Sequence, residues 1–292
     1  MIIEKAVLTR KIDAEVKRII DTFRTAVKYM ILFRGKGIEF AGLREYVPGE
    51  DDASRIDWRA SLRSQSLYVR EYEEERDLDI FILLDTSSSM LFGSQGMTKS
   101  EYASVIAGVL SYAGIDSGDN VGFAMFNRSV PIFLEPVNDV YQYYKILDLL
   151  TNESMYGSGA NLKLALDRVT TYLGPRTFLF IISDFLGLGK GWETSLKMAS
   201  HKFDKVLGIM VRDLRDLEPP AAGYMRFYDP FTGRAAAVKT DKVRKRYAKY
   251  AKEQYDQVLA AFRSSNAEML NVLTTESFAK QITRYFERFS MV

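Results

Sequence analysis

The chain has 292 residues, with 40 Lys and Arg against 38 Asp and Glu, one His and no Cys, for a net charge of +2. A thiol nucleophile, a disulfide scaffold and a Cys-based zinc site are excluded, and His201 alone cannot build a multi-His metal centre. The available chemistry is that of carboxylates, hydroxyls, amides, Lys, Arg and Tyr, a ligand set suited to hard cations such as Mg²⁺. So small a net charge argues against nucleic acid or an anionic membrane as the partner. At 47% hydrophobic and 27% charged residues, the chain can bury a large core and keep a hydrated surface. No apolar run approaches the roughly 20 residues of a spanning helix. No signal peptide is read at Met1-Ile2-Ile3-Glu4-Lys5, and the absence of Cys suits a reducing compartment, so the expected location is the cytoplasm.

In chain order, Ile12, Val16, Ile19, Ile20, Phe23, Val27, Met30 and Ile31 recur at helical spacing and predict a long amphipathic helix, ended by Gly35 and Gly37. Its charges are mixed in sign, which favours packing on the protein's own body over a membrane surface. From Ile38 to Tyr72 the text is irregular, with a turn at Pro48-Gly49-Glu50-Asp51-Asp52. Within it, Trp58 is expected to pack inward while Asp57 and an Arg fasten the segment. The charge run from Arg70 to Asp77 reads as a solvated strand edge or loop.

The pattern changes at Leu78. Leu78–Leu84, Val121–Phe126, Phe178–Ile182 and Val206–Val211 are nearly continuous apolar runs of the kind that form buried parallel strands. Between and around them lie helical segments at about 98–115, 139–150, 161–173 and 192–203. This alternation predicts an α/β fold with a mostly parallel sheet covered on both faces. Val130–Leu134, after the turn Asn127-Arg128-Ser129, adds an antiparallel edge strand. A β-hairpin insertion at about 219–239 follows, with Tyr224–Tyr228 and Ala235–Lys239 as its strands. Thr240 is expected to cap a long helix that buries Val243, Tyr247, Tyr250, Ala251, Val258 and Phe262. A last strand, Met269–Leu273, precedes a helix capped near Thr275. The expected division is 1–77 as an N-terminal elaboration and 78–292 as the α/β domain.

Ligand sites in open α/β sheets lie beyond the carboxyl ends of the strands. Two strands end in a carboxylate: Asp85, followed by Thr86-Ser87-Ser88-Ser89, and Asp184. In Asp85-x-Ser87-x-Ser89, spacing by two lets a turning backbone aim one carboxylate and two hydroxyls at a common point, with water and an outside ligand completing the shell of a hard cation. Asp184 could join directly or through water. The plain alternative has Asp85 capping the next segment while Ser87 and Ser89 satisfy loop amides.

Placed after a buried strand, this pattern resembles the metal-ion-dependent adhesion site (MIDAS) of von Willebrand factor A (vWA) domains. Three stretches of flanking text (Phe40-Ala-Gly-Leu-Arg-Glu-Tyr-Val-Pro-Gly-Glu-Asp-Asp, Ile56-Asp-Trp-Arg-Ala-Ser and Leu67-Tyr-Val-Arg-Glu-Tyr) resemble the domain-of-unknown-function-58 (DUF58) family, as does the hairpin around Asp229-Pro230-Phe231-Thr232-Gly233. The resemblance runs from about Phe40 to the C-terminus. It implies a Rossmann-like fold and non-catalytic, metal-dependent recognition of an acidic residue on a partner protein. The implied ion is Mg²⁺, or another hard divalent cation such as Mn²⁺ or Ca²⁺, and the implied partner is a MoxR-type AAA+ ATPase. In the adhesion-site pattern a Thr from a second loop adds a ligand. Ala160 stands at that position here and has no side-chain oxygen, which leaves Ser158, Asn161 or water for the place.

Other readings fare less well. Asp85 as the nucleophile of a Mg²⁺-dependent phosphohydrolase is the competing class, but that pattern needs an Asp two positions later, where Ser87 sits. The Gly187–Trp192 stretch lacks the spacing of a nucleotide-binding loop. His201 ends a helix, where a dipole-capping role suffices. Lys242, Arg244, Lys245, Arg246, Lys249 and Lys252 read as a solvated face rather than a nucleic-acid surface.

Overall fold

The computed structural model describes residues 4–17, 38–49, 51–64, 66–74 and 78–290. Its centre is a six-stranded sheet of β3 (Asp79–Asp85), β4 (Asn120–Phe126), β5 (Ile132–Val137), β6 (Thr177–Ser183), β7 (Lys205–Arg212) and β10 (Glu268–Leu273). The strand order is β10-β7-β6-β3-β4-β5; all neighbours are parallel except β5, which runs antiparallel to β4 at the edge. The apolar runs make these strands because each is covered on both faces. In β3, Ile80, Ile82 and Leu84 enter one core while Phe81 and Leu83 enter the other. β4, β6 and β7 divide their side chains in the same alternating way.

On the first face lie α1 (residues 5–17), α3 (Lys99–Asp116), α4 (Val140–Leu150) and α9 (Phe278–Ser290). On the second lie α5 (Leu162–Tyr172), α6 (Trp192–Lys202) and the C-terminal part of α8 (Thr240–Ser264). α3 is buried along most of its length because it is sandwiched between the sheet and a further layer of α1 and α4, so it has almost no polar face.

The first part of the predicted N-terminal helix docks on the protein's own body. Leu8, Ile12 and Val16 belong to the first core, and Lys5 pairs with Asp148 of α4. Gly108 of α3 makes the approach possible, since a Cβ there would lie 2.2 Å from the Ile12 Cδ1. The predicted positions from Ile19 onward lie outside the described residues.

Residues 38–74 form a separate small unit. β1 (Ile38–Glu45) and β2 (Tyr68–Glu74) pair antiparallel, and α2 (Trp58–Ser64) is laid between them in sequence. Asp57 accepts the amides of Arg59 and Ala60 at the start of α2. Trp58 does not pack inward as expected; it is 62% exposed, whereas Ser61 and Val69 are buried.

Three further expectations are corrected. Thr240 does not cap α8: its hydroxyl donates to the carbonyl of Gly223 and accepts from the amide of Ala222, closing the base of the hairpin β8 (Tyr224–Tyr228) and β9 (Ala235–Lys239). Tyr250 is not in the buried stripe of α8 but lies outside it under the Arg246 guanidinium. The last helix begins at Phe278 and draws its N-terminal acceptor from α1, where the Glu15 carboxylate receives the Ala279 amide and the Ser277 hydroxyl. A carboxylate at that position also suits the helix dipole.

The Gly108 contact is testable. Gly108→Val is expected to destabilise the fold by about 1–3 kcal/mol through overpacking against Ile12. In urea unfolding, the loss in a Gly108→Val, Ile12→Ala chain should fall short of the two single losses together, because truncating Ile12 removes the clash.

Candidate functional site

From β3 the chain crosses to β4 on one side, while β6 pairs on the other, so the crevice beyond the C-terminal ends of β3 and β6 is the topological switch point of the sheet. Asp85 closes β3 and Ser183 closes β6. Asp85 is fully buried; one carboxylate oxygen accepts the Ser87 amide at 2.8 Å and the other accepts the Ser183 hydroxyl at 2.6 Å. The first loop is tied to β4, since both the amide and the hydroxyl of Thr86 donate to the Phe126 carbonyl. The second loop is fastened to the first by main chain, with Gly157 N–H donating to Thr86 and Ser88 N–H to Ser158.

A run of oxygens leads away from Asp85. The Ser87 and Ser89 hydroxyls are 3.2 Å apart, and the Ser89 hydroxyl donates to Asp184 Oδ1 at 3.1 Å. The same Asp184 oxygen receives the Leu186 amide. Its other oxygen meets the Lys99 ammonium at 2.8 Å, and Lys99 also reaches Asp216 Oδ2 at 3.0 Å. Asp216 in turn accepts the Asp213 amide, and the Asp213 carboxylate takes the amide and hydroxyl of Ser94. One buried ammonium therefore joins the loops that follow β3, β6 and β7.

The charges respond accordingly. Burial, with the negative Asp184 nearby, pushes the Asp85 carboxyl up to about 7, against the opposing hydrogen bonds from Ser183 and Ser87. Burial disfavours the Lys99 charge, but Asp184 and Asp216 outweigh it and hold the ammonium above its ordinary range. For Asp213, burial is outweighed by the hydrogen bonds from Ser94 and Arg215 and by Lys99, so its carboxyl lies below the usual range. Two residues of the loops at this site adopt left-handed backbone without being glycine: Ser158 (φ 74°) and Phe185 (φ 55°), directly after Asp184. Such conformations cost about 1–3 kcal/mol each and persist where surrounding packing imposes them; the Phe185 ring packs edge-on to Phe262 at 5.4 Å.

Of the six predicted ligand residues, Asp85, Ser87, Ser89 and Asp184 come together. Ser158 touches the first loop through its carbonyl, with an exposed side chain, and Asn161 uses its side-chain oxygen to cap α5 at the Leu164 amide. Ala160 packs against the second core. Among the described residues no cluster of three or more His, Asp or Glu is placed to hold a metal; the candidate set has two carboxylates and depends on hydroxyls. Sequence reasoning missed Lys99, Ser183, Asp213 and Asp216. One signal was present: Lys99 sits in the first turn of α3, inside a Thr98–Glu101 capping box, where a cation opposes the helix dipole.

A mostly parallel six-stranded sheet with helices on both faces, an antiparallel edge, and Asp-x-Ser-x-Ser at the switch point define a vWA-like domain. The match of residues 42–257 to the family described as "Protein of unknown function DUF58" shows that the chain belongs to that family. It is 26% identical over 257 residues to "Uncharacterized protein Rv1480" of Mycobacterium tuberculosis (strain ATCC 25618 / H37Rv), covering 87% of this chain and 80% of that protein. The crystal structure of BatB from Bacteroides thetaiotaomicron shares the fold at a TM-score of 0.50 and 16% identity, over 74% of this chain and all of that one. The SpRpn10 VWA domain superposes at a TM-score of 0.39 with 10% identity, over 70% of this chain and 93% of that one.

Removing the ammonium should strand two carboxylates. Lys99→Met is expected to cost about 3–5 kcal/mol, read by urea unfolding, and less when Asp184→Asn is already present, since only Asp216 is then stranded. Asp85 supplies a pH test. The folded chain keeps a proton on Asp85 that the unfolded chain releases near its ordinary pKa of about 4, so wild-type stability falls as pH rises from there to about 7. With divalent cations chelated, Asp85→Asn should therefore gain stability relative to wild type between pH 5 and pH 8; a constant difference would contradict the raised Asp85 pKa.

Proposed function

We propose that this protein is a non-catalytic, cytoplasmic interaction module that recognises an acidic residue of a partner through a divalent cation, Mg²⁺ or another hard ion such as Mn²⁺ or Ca²⁺. The observation that carries the reading is the run of oxygens from Asp85 through Ser87 and Ser89 to Asp184 at the switch point. Asp85, Ser87 and Ser89 would hold the ion, with Asp184 behind Ser89; Ser158 and Asn161 are the candidates from the second loop. The residues fit a cation chemically. Asp85 is a carboxyl whose pKa burial and the nearby negative Asp184 push up to about 7, which a cation would reverse, whereas Asp184 already has Lys99. When bound, such an ion supplies a Lewis-acidic position that neutral hydroxyls leave largely uncompensated, and so attracts an incoming carboxylate. The protein's own part is to fix the hydroxyls: Asp85 holds the Ser87 amide, and Asp184 holds the Ser89 hydroxyl.

A MoxR-type AAA+ ATPase is the proposed working partner, in the assembly or remodelling of protein complexes, on the ground of the sequence resemblance alone. The absence of Cys supports a reducing compartment. The vWA-like fold supports protein recognition. Phosphoryl transfer through Asp85 is disfavoured, because that pattern needs a second Asp two positions later, where Ser87 stands.

Calorimetric titration of the intact chain with MgCl₂ is the test. Binding in the ~10⁻⁴–10⁻³ M range of weak oxygen-ligand sites is expected, lost in Asp85→Ala and reduced in Ser87→Ala, together with Mg²⁺-dependent association with a purified MoxR-type ATPase. Flat titrations with Mg²⁺, Mn²⁺ and Ca²⁺ would remove the metal from the mechanism, and turnover of a phosphomonoester abolished by Asp85→Asn would favour the enzyme.

A further inference from the structure

The charge of this chain is unevenly placed. Residues 224–252, the hairpin and the first half of α8, hold nine Lys and Arg against two Asp, a surplus of seven in a chain whose total is +2, which leaves the remainder at −5. Some of these cations are matched: Arg244 pairs with Glu218, Lys249 with Glu253 and Lys252 with Asp256. Among the described residues Arg226, Lys239, Lys242 and Lys245 have no carboxylate partner, and the last three are exposed along β9 and one side of α8.

The hairpin presents these charges on a shaped surface. Tyr224, Arg226 and Tyr228 alternate onto its open face, while Met225 and Phe227 turn half-buried to the other side, with Phe227 6.2 Å from the Tyr247 ring. Across the register stand Lys239, Ala237 and Ala235. Two rings, 77% and 65% exposed, therefore flank Arg226, with Lys239 across from Tyr224 and the low Ala237 and Ala235 across from the other two positions. Among the described residues, main-chain groups of the hairpin are also free. Gly223 with Thr240 and Asp229 with Arg234 are the hydrogen-bonded pairs at the two ends. Bonded and non-bonded pairs alternate, so residues 224, 226, 228, 235, 237 and 239 turn their amides and carbonyls toward the outer edges of a sheet with only two strands.

We infer that this hairpin face, with the adjoining basic side of α8, is the docking surface for an extended acidic segment of a partner protein. Open strand edges accept an added strand, alternate side chains of that strand fall between the tyrosines, and acidic side chains meet Arg226, Lys239 and Lys242. The −5 carried by the rest of the chain disfavours a long polyanion such as nucleic acid, whose phosphates extend beyond so small a basic patch. The surface is joined to the site at the strand ends: the Phe231 ring at the hairpin tip rests on Gly187, three residues after Asp184, where a Cβ would lie 2.7 Å from the ring. The inference stands without any metal at Asp85.

The test is fluorescence anisotropy with a labelled peptide in which Glu alternates with Val and Tyr, added to the intact chain. Salt-sensitive binding is expected, weakened at least ~10-fold by Arg226→Glu, Lys239→Glu and Lys242→Glu together, less by the same three changed to Gln, and unaltered in Asp85→Ala. That last variant separates this surface from the metal reading. Undetectable peptide binding, affinity indifferent to all three cations, or tighter capture of a thymidine oligonucleotide or phosphatidylglycerol vesicles through the same residues would overturn the inference.

Discussion

The buried Lys99 ammonium is the constraint on which the strand-end architecture depends. It is 1% exposed and lies between Asp184 and Asp216, so its hydration is replaced almost wholly by two carboxylates. Such an arrangement adds little net stability over an apolar equivalent, but losing one member leaves charge in a dry interior. Its value is positional. With one oxygen of Asp184 committed to Lys99, the other faces Ser89; with Asp216 committed, Asp213 is placed to hold Ser94. The loop from Ser87 to Thr98 is thereby held at Ser89 and Ser94 by the carboxylates of Asp184 and Asp213, which follow β6 and β7.

The strands and most helices were legible because their signals are local. A parallel strand buried on both faces reads as an unbroken apolar run, and β3, β4, β6 and β7 appear within a residue or two of where that rule puts them. Asp85 and Asp184 could be picked out because strand ends are where such sheets bind. Lys99 was legible only as a cation out of place in a helix's first turn; its partners come 85 and 117 residues later in the chain. The same holds for Glu15, whose carboxylate serves the start of α9 some 264 residues away. Trp58 and Tyr250 misled for another reason: an aromatic residue suggests burial, yet whether it finds an interior depends on which helix face the tertiary fold covers.

The molecule also keeps its two kinds of electrostatics apart. At the switch point, charge is buried, paired and geometrically fixed. On the hairpin and α8 it is solvated, unmatched in part and of one sign, so its influence extends outward and falls with ionic strength. The glycines at 187 and 108 mark where elements added to the sheet are allowed close to the body: one receives Phe231 from the hairpin, the other Ile12 from the N-terminal helix.

The strand order has a consequence for how the chain is made. β3 is central and is the first strand of the main sheet to leave the ribosome, yet one of its two neighbours, β6, starts 98 residues after it does. During that interval a strand built for burial has one open edge and an uncovered face. Pairing across such sequence separation is slow, and exposed apolar edges invite aggregation. The charged residues just before it, from Arg70 to Asp77, and Asp79 and Asp85 at its own ends help to keep the nascent strand hydrated until β6 arrives.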